Sequence, residues 1–289
     1  MMGNRNTPII MRDDLDLFAR IAKHGFVDME YIYRFTYKGR KKRTIDDRIR
    51  QLNNHQYLMI NKTFIPPDYT VNYRTGYRII ALGKRGLEIV RDAGMDAEDR
   101  SRALLSGSPY RMYHQVQIAT VCDLLLMSYA NTEKSNWELI RVLNEKETYL
   151  EEASNQPDAM MIFRQRQKED SAVVLVFLEI ERSYASEASL KRKLLGYRMS
   201  IEERLYPQML QQRVIDQRIL FVAQTDGQKS ALKDKLQGAD TERLHILLVG
   251  YQEIAKAPLD AVYETGSGSR IKLLGDMRSN ENGRNAYAD

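Results

Sequence analysis

The chain has one cysteine, Cys122, and one tryptophan among 289 residues. A lone thiol excludes a disulfide framework and any zinc site built on cysteines. Long apolar runs are missing too: none approaches the ~18–20 residues that a membrane-spanning helix needs. The opening residues MMGNRNTPII contain neither the apolar core nor the cleavage site of a signal peptide, so a cytoplasmic location and no membrane partner are expected. There is no phosphate-cradling GxxxxGK[ST] loop, no Gly-rich dinucleotide fingerprint and no nucleophile elbow. His24, His55, His114 and His245 have no ligand spacing, which leaves histidine metal centres without a candidate.

What is present is the composition of a folded protein, 43% hydrophobic and 29% charged, long enough for two domains of ordinary size. The charge is unevenly placed. Residues 1–95 carry 18 Lys and Arg against 10 Asp and Glu, whereas the rest carries 26 against 29. All of the surplus positive charge therefore lies in the first third. Concentrated basic charge favours a polyanionic partner, because neutralising phosphates releases condensed counterions.

Within that basic third, four segments read in order. RDDLDLFARIAKHG sets Leu15, Phe18, Ile21 and Ala22 at helical spacing and closes on Gly25. DMEYIYRFTYKG can cap at Asp28. KKRTIDDRIRQLNNHQY puts Ile45, Ile49 and Leu52 on one face, with Thr44 as its N-cap. Two β-rich stretches, YLMINKTFI and YRTGYRIIAL, flank the turn residues PPDYTVN, and a last helix, GKRGLEIVRDAG, follows. Three short helices and a hairpin predict a winged helix-turn-helix over residues 10–95, whose third helix enters the major groove of double-stranded DNA while the wing lies along the backbone. Arg40, Lys41, Lys42 and Arg43 lead into the third helix, Arg48 and Arg50 project from it, and Arg74 and Arg78 sit on the wing. Cations at a helix start oppose the helix dipole, so this run makes more sense facing phosphates. A solvated basic helix in a protein–protein module is the competing reading.

Residues 96–109, polar and Gly/Ser-containing, read as a linker. From residue 110 to 253 the pattern becomes α-β-β-β-α-β-α-β. VVLVFLEIE, apolar without alternation, belongs in the middle of a sheet covered on both faces. Glu179 and Glu181, two residues apart, then lie on one side at the strand's end. Like carboxylates so placed repel unless a cation, a proton or basic side chains compensate. Residues 254–289, rich in Gly, Ser and Asn, read as a flexible tail. The expected fold class is thus a two-domain α+β or α/β protein, a winged helix followed by a mixed α/β sheet domain.

The strand order and these acids resemble the PD-(D/E)xK nuclease-like superfamily, also called restriction-endonuclease-like. PDAMMIF supplies the Pro-Asp strand, with Asp158, and FLEIER the strand ending in acids. The whole series looks more narrowly like the replication-relaxation family of plasmids and mobile elements: a winged helix, a helix starting HQVQIATV, PDAMMIF, FLEIER, and a helix carrying Lys193 and Tyr197 as Lys-x-x-x-Tyr. The superfamily resemblance implies magnesium held by Asp158, Glu179 and Glu181, with a lysine assisting the attacking water. Here the sequence departs from the pattern. The position two beyond Glu179 holds Glu181 rather than lysine, and the nearest lysines able to serve are Lys191 and Lys193 on the next helix.

Three functions remain open. One is a DNA-binding accessory factor for conjugative transfer, relaxation or replication, with a non-catalytic second domain that binds DNA or a relaxase or replication protein; binding would need no cofactor. Another is a magnesium-dependent endonuclease using Asp158, Glu179 and Glu181 with Lys191 or Lys193. The last is a transcriptional repressor whose second domain makes a homodimer.

Overall fold

The computed structural model describes residues 7–63, 77–130, 135–166, 172–181, 186–237, 244–265 and 268–274. The chain divides into two compact units, Met1–Asp123 and Leu124–Asp289.

The first unit opens with α1 (Arg12–His24), which buries Leu17, Phe18 and Ile21 on one stripe and stops at Gly25, whose φ of 81° suits a residue without a Cβ. Leu15, expected on that stripe, is 47% exposed, and Leu17 packs instead. β1 (Val27–Asp28) leads to α2 (Met29–Phe35), where the Asp28 side chain caps the helix by accepting from Tyr31 N–H. α3 (Lys42–Asn54) buries Ile45, Ile49 and Leu52. Its N-cap is Lys41 rather than Thr44, and no side chain caps it. β2 (Leu58–Thr63) and β3 (Tyr77–Leu82) pair antiparallel, β1 joins the far edge of β3, and α4 (Lys84–Asp92) follows. The stretch between β2 and β3, with Arg74, lies outside the described residues.

The expected linker contains structure. α5 (Ser101–Ser106) buries Leu104 completely among Phe26, Tyr77, Ile79, Ala81, Met112, Tyr113 and Val116. The first unit therefore extends past residue 95, into α6 (Pro109–Ala130) as far as Asp123. A polar composition hid one apolar side chain that does the anchoring.

The second unit is built on a mixed sheet of seven strands in the order β10-β9-β8-β7-β6-β5-β4. β4 (Trp137–Asn144), β5 (Ala159–Gln165) and β6 (Val173–Glu181) pair antiparallel, and β6, β7 (Val214–Ala223) and β8 (His245–Gly250) run parallel. Every residue of β6 from Val173 to Ile180 is buried, as befits a central strand covered on both faces. One face packs Val173, Leu175 and Phe177 against Leu190, Leu194, Tyr197 and Ile201 of α7 (Glu187–Glu202) and against Tyr206 of α8 (Leu205–Leu210). α7 stops short of Arg204, which takes a left-handed φ of 55° before α8 begins. α9 (Asp226–Gln237) connects β7 to β8.

The reading of residues 254–289 as a loose tail fails for its first part. α10 (Tyr251–Lys256), β9 (Tyr263–Thr265) and β10 (Arg270–Ile271) continue the fold, and both strands extend the sheet. Lys229 and Lys233 of α9 pin Glu264 of β9 at 3.0 and 2.9 Å.

Candidate functional site

In the first unit the basic residues divide into those facing outward and those spent on the fold. Lys41, Lys42 and Arg43 are exposed at the start of α3, whose first turn contains no acid. Lys42 lies 4.5 Å over the Tyr33 ring and 3.5 Å from Glu30, both ends of that ion pair about two-thirds exposed. Arg40 pairs with Asp13 at 3.0 Å near the surface. Arg50 donates to Asp47 one turn earlier at 3.0 Å, with both side chains well exposed.

Arg48 behaves differently. Its Nε donates to Asp14 Oδ1 at 3.0 Å, its Nη2 donates to Asp14 Oδ2 and to the Ile9 carbonyl at 2.7 Å, and its Nη1 donates to Gln51 at 2.6 Å. Asp14 is fully buried and also accepts from Tyr37 OH at 2.6 Å and from Met11 N–H at 2.7 Å. Arg48, expected to meet DNA, is a half-buried counter-ion to the buried Asp14 and joins α3 to α1. Its place in the helix explains this: it stands three residues after Ile45 and four before Leu52, at the border of the inward face. Arg78 is held by Asp46 at 3.0 Å, a carboxylate that also takes the Tyr33 hydroxyl at 2.9 Å.

A second buried acid in this unit escaped sequence reading. Asp123 lies within 2.7 Å of Arg20 and 3.1 Å of His24, accepts the Tyr31 hydroxyl, and has Lys23 at 3.5 Å. Burial opposes its ionisation, but the contacts with His24 and Tyr31 and the charge of Lys23 hold its carboxyl well below the usual range. The available signal was a single aspartate inside the apolar run VCDLLL, since a buried acid there needs a partner.

In the second unit the predicted acids do come to one place. β5 and β6 are antiparallel with Ala159 opposite Leu178, so Asp158, just before β5, falls beside the end of β6. Its own N–H donates to the Leu178 carbonyl at 3.1 Å, and its Oδ2 accepts from Ile180 N–H at 2.7 Å. Glu179 continues the face of Phe177 and is buried at 1% exposure, whereas Glu181 at the strand end is half-buried. Lys193 and Tyr197, one turn apart on α7, both reach Glu179: the lysine Nζ donates to Oε2 at 2.5 Å and the tyrosine hydroxyl to Oε1 at 2.5 Å. Lys191 takes no part; it points outward and pairs with Glu187 at 3.3 Å.

The electrostatics follow from three carboxylates and one ammonium. Burial pushes the Glu179 carboxyl up to about 7, with Lys193 pulling it down and Asp158 adding to the rise. Burial opposes the Lys193 charge, yet Glu179, Asp158 and Glu181 together hold the ammonium above its ordinary range. The like-charge conflict is thus relieved by a lysine from the neighbouring helix and by a carboxyl poised to take a proton near neutrality. A magnesium ion fits this arrangement poorly. Both Glu179 oxygens already accept from strong donors, an ammonium occupies the place of a cation, and among the described residues no three of His, Cys, Asp and Glu form a group able to hold a metal.

The loop delivering Asp158 is firmly built. Asn144 Oδ1 accepts from Lys146 and Glu147 N–H, Tyr206 OH donates to the Thr148 carbonyl at 3.1 Å, and Leu150 bridges Asn155. Gly196 of α7 lets that loop approach, since a Cβ there would lie 2.9 Å from the Ala153 carbonyl oxygen. Among the described residues no helix is long and apolar enough to cross a membrane.

The sequence model described as replication-relaxation matches residues 18–210, spanning most of the first unit, the acids of β5 and β6, and α7. No curated protein is similar enough to count as a relative. Among solved structures, that of the restriction endonuclease FokI aligns with 84% of this chain and 43% of its own, at 12% identity and a TM-score of 0.30. The chain spans less than half of that structure's length, and a likeness so slight carries no argument about fold or chemistry.

Proposed function

Because the chain belongs to the replication-relaxation family, we propose that it is a DNA-binding accessory factor for DNA processing on plasmids or other mobile elements, serving conjugative transfer, relaxation or replication. The first unit is read as a winged helix that docks on duplex DNA. The observation that carries this reading is the start of α3, where Lys41, Lys42 and Arg43 stand exposed with no acid in the first turn and no side-chain cap. Cations stacked on the positive end of a helix dipole repel it; a phosphate bound there would satisfy both the dipole and the side chains. The β2–β3 hairpin is read as the wing, and Arg78 at its base is held in place by Asp46.

The second unit is read as a nuclease-like domain adapted to binding DNA or a relaxase or replication protein. What supports this is the occupancy of Glu179 by Lys193 and Tyr197, which leaves the central acid little capacity for a metal. Duplex binding then needs no cofactor, since phosphate contacts come from lysine and arginine, and it persists in EDTA. The test is fluorescence anisotropy of the full chain with duplex DNA across a salt series. Replacing Lys41 and Lys42 by alanine should weaken binding to all duplexes alike and lower the salt slope by about 2. Asp158→Ala should leave binding intact. Absence of any duplex binding at low salt sinks the reading.

One observation favours a second reading, a metal-dependent endonuclease: a lysine displaced to α7 has its Nζ 2.5 Å from Glu179 and within the field of Asp158. Supercoiled DNA incubated with magnesium or manganese decides it. Nicking by the wild type that is lost in Asp158→Ala and Lys193→Met would support cleavage, and equal absence of nicking in all three would leave it without support.

A further inference from the structure

The outward face of α3 carries a stripe the basic run does not explain. Ile45, Ile49 and Leu52 define the buried side of the helix. On the opposite side Arg43, Asp47, Arg50 and Asn54 recur at intervals of four, three and four residues, which stacks them in one line along the axis, and all four are exposed. Two of these bear directly on one another: Arg50 Nη1 donates to Asp47 Oδ1 at 3.0 Å while the rest of both side chains faces solvent.

A surface meant only to lie against phosphates would gain nothing from an aspartate at its centre, because the carboxylate repels the backbone. Asp46, one residue earlier, is turned aside and neutralised by Arg78 and Tyr33. Asp47 keeps its place on the stripe and spends its charge on Arg50. One hydrogen bond through Nη1 restrains the guanidinium and leaves its neighbouring Nε and Nη2 donors to solvent. That is the geometry in which arginine donates two parallel hydrogen bonds to the O6 and N7 acceptors of guanine in a major groove. Asn54, further along the same line, has the amide that pairs with adenine N6 and N7.

Resting on the reading of the first unit as a duplex binder, we infer that Arg50, oriented by Asp47, reads a guanine base edge. Affinity would come from Lys41 and Lys42, and sequence choice from the stripe. Asp47 is then a positioning residue whose removal costs discrimination before it costs binding.

The experiment selects the preferred duplex from a random library with the full-length chain, then measures affinity for the selected and a scrambled duplex. For the wild type the selected site should contain an invariant guanine. Arg50→Ala should cut the selected-to-scrambled ratio by about ten- to a hundredfold and abolish the preference at that guanine alone. Arg50→Lys keeps the charge and the helix but lacks the fork, and should lose most of the same ratio. Asp47→Ala should lower the ratio severalfold, with Asp47→Asn, which retains an acceptor for the guanidinium, recovering much of it. Arg50→Ala weakening both duplexes equally would make Arg50 a phosphate contact and overturn the inference. So would an Asp47→Ala ratio equal to that of the wild type. Wild-type binding with no sequence preference would overturn this inference while leaving duplex binding standing, whereas no binding at low salt would overturn both.

Discussion

Arg48 stands beside Arg50 in sequence, yet the two should respond to alanine in opposite ways. Removing the Arg48 guanidinium leaves Asp14, which has no solvent exposure, with the Tyr37 hydroxyl and the Met11 N–H as its only described donors. Breaking one side of a buried, hydrogen-bonded ion pair costs about 3–5 kcal/mol, because the surviving charge stays desolvated. The Ile9 carbonyl and Gln51 lose a donor as well, but both contacts are exposed and water replaces it, so the lower half of that range is expected. Arg50 shares an exposed pair with Asp47, and exposed pairs contribute little. With a urea dependence of about 2 kcal/mol per M, Arg48→Ala should lower the midpoint of the first unit's unfolding by about 2 M. Arg50→Ala should leave it in place. Far-UV circular dichroism through a urea titration at pH 7 measures both. Arg48→Lys supplies one donor instead of a fork and should fall between them. If Arg48→Ala moves the midpoint by less than about 0.3 M, a small fraction of that shift, the buried-pair argument fails and Arg48 returns to the candidates for DNA contact.

The cluster at the end of β6 yields three further expectations. Burial raises the Glu179 carboxyl from 4.5 to about 7, so its contribution favours the fold below pH 4.5 and is lost as pH rises through 7; that loss is about 3 kcal/mol. Glu179→Gln should flatten the urea midpoint of the second unit between pH 5 and 8, and parallel profiles for variant and wild type would refute the shift. Tyr197→Phe deletes a buried donor to Glu179, so it should cost about 1–3 kcal/mol. Because that hydrogen bond holds the Glu179 carboxyl down, the variant's pH-dependent loss should move to higher pH, and an unmoved profile would mean the hydroxyl is not bound to the carboxylate. Gly196→Ala places a Cβ 2.9 Å from the Ala153 carbonyl oxygen and should lower stability by about 1–3 kcal/mol, whereas a neutral result in thermal denaturation would show that the 150–155 loop gives way.

The fold was legible where periodicity is strong. Ile45, Ile49 and Leu52 placed α3 correctly, and the unbroken apolar run of β6 placed that strand inside the sheet. It was illegible where one or two side chains override local composition. Leu104 turns a polar stretch into a docked helix by filling a cluster of seven buried residues contributed from elsewhere in its unit. Residues 254–274 carry Gly and Ser as a loose terminus does, but Tyr263 is fully buried and Glu264 meets two lysines of α9. Those contacts join residues some thirty positions apart, a distance over which no local pattern speaks.

The acid cluster shows the same limit within the candidate site. Spacing of two along a strand puts Glu179 and Glu181 on one side, and antiparallel pairing sets Asp158 beside the end of β6, so the placement of these acids could be read directly. Their states could not. Whether a carboxylate is free to hold a metal depends on which neighbouring helix faces it and at what rotation. Lys191 and Lys193 were equal candidates by sequence, since both lie in the first two turns of the helix that follows the strand. Rotation of α7 separates them: Leu190, Leu194 and Tyr197 must face the sheet, which carries Lys193 to Glu179 and turns Lys191 toward Glu187 on the surface. The burial of that apolar stripe therefore selects which lysine meets the acids. With Tyr197 on the same stripe, it also delivers the second donor to Glu179, so a shift of α7 that freed the carboxylate for another ligand would have to expose Leu190 and Leu194 together. The core of the second unit and the occupancy of its acid site are one structural decision.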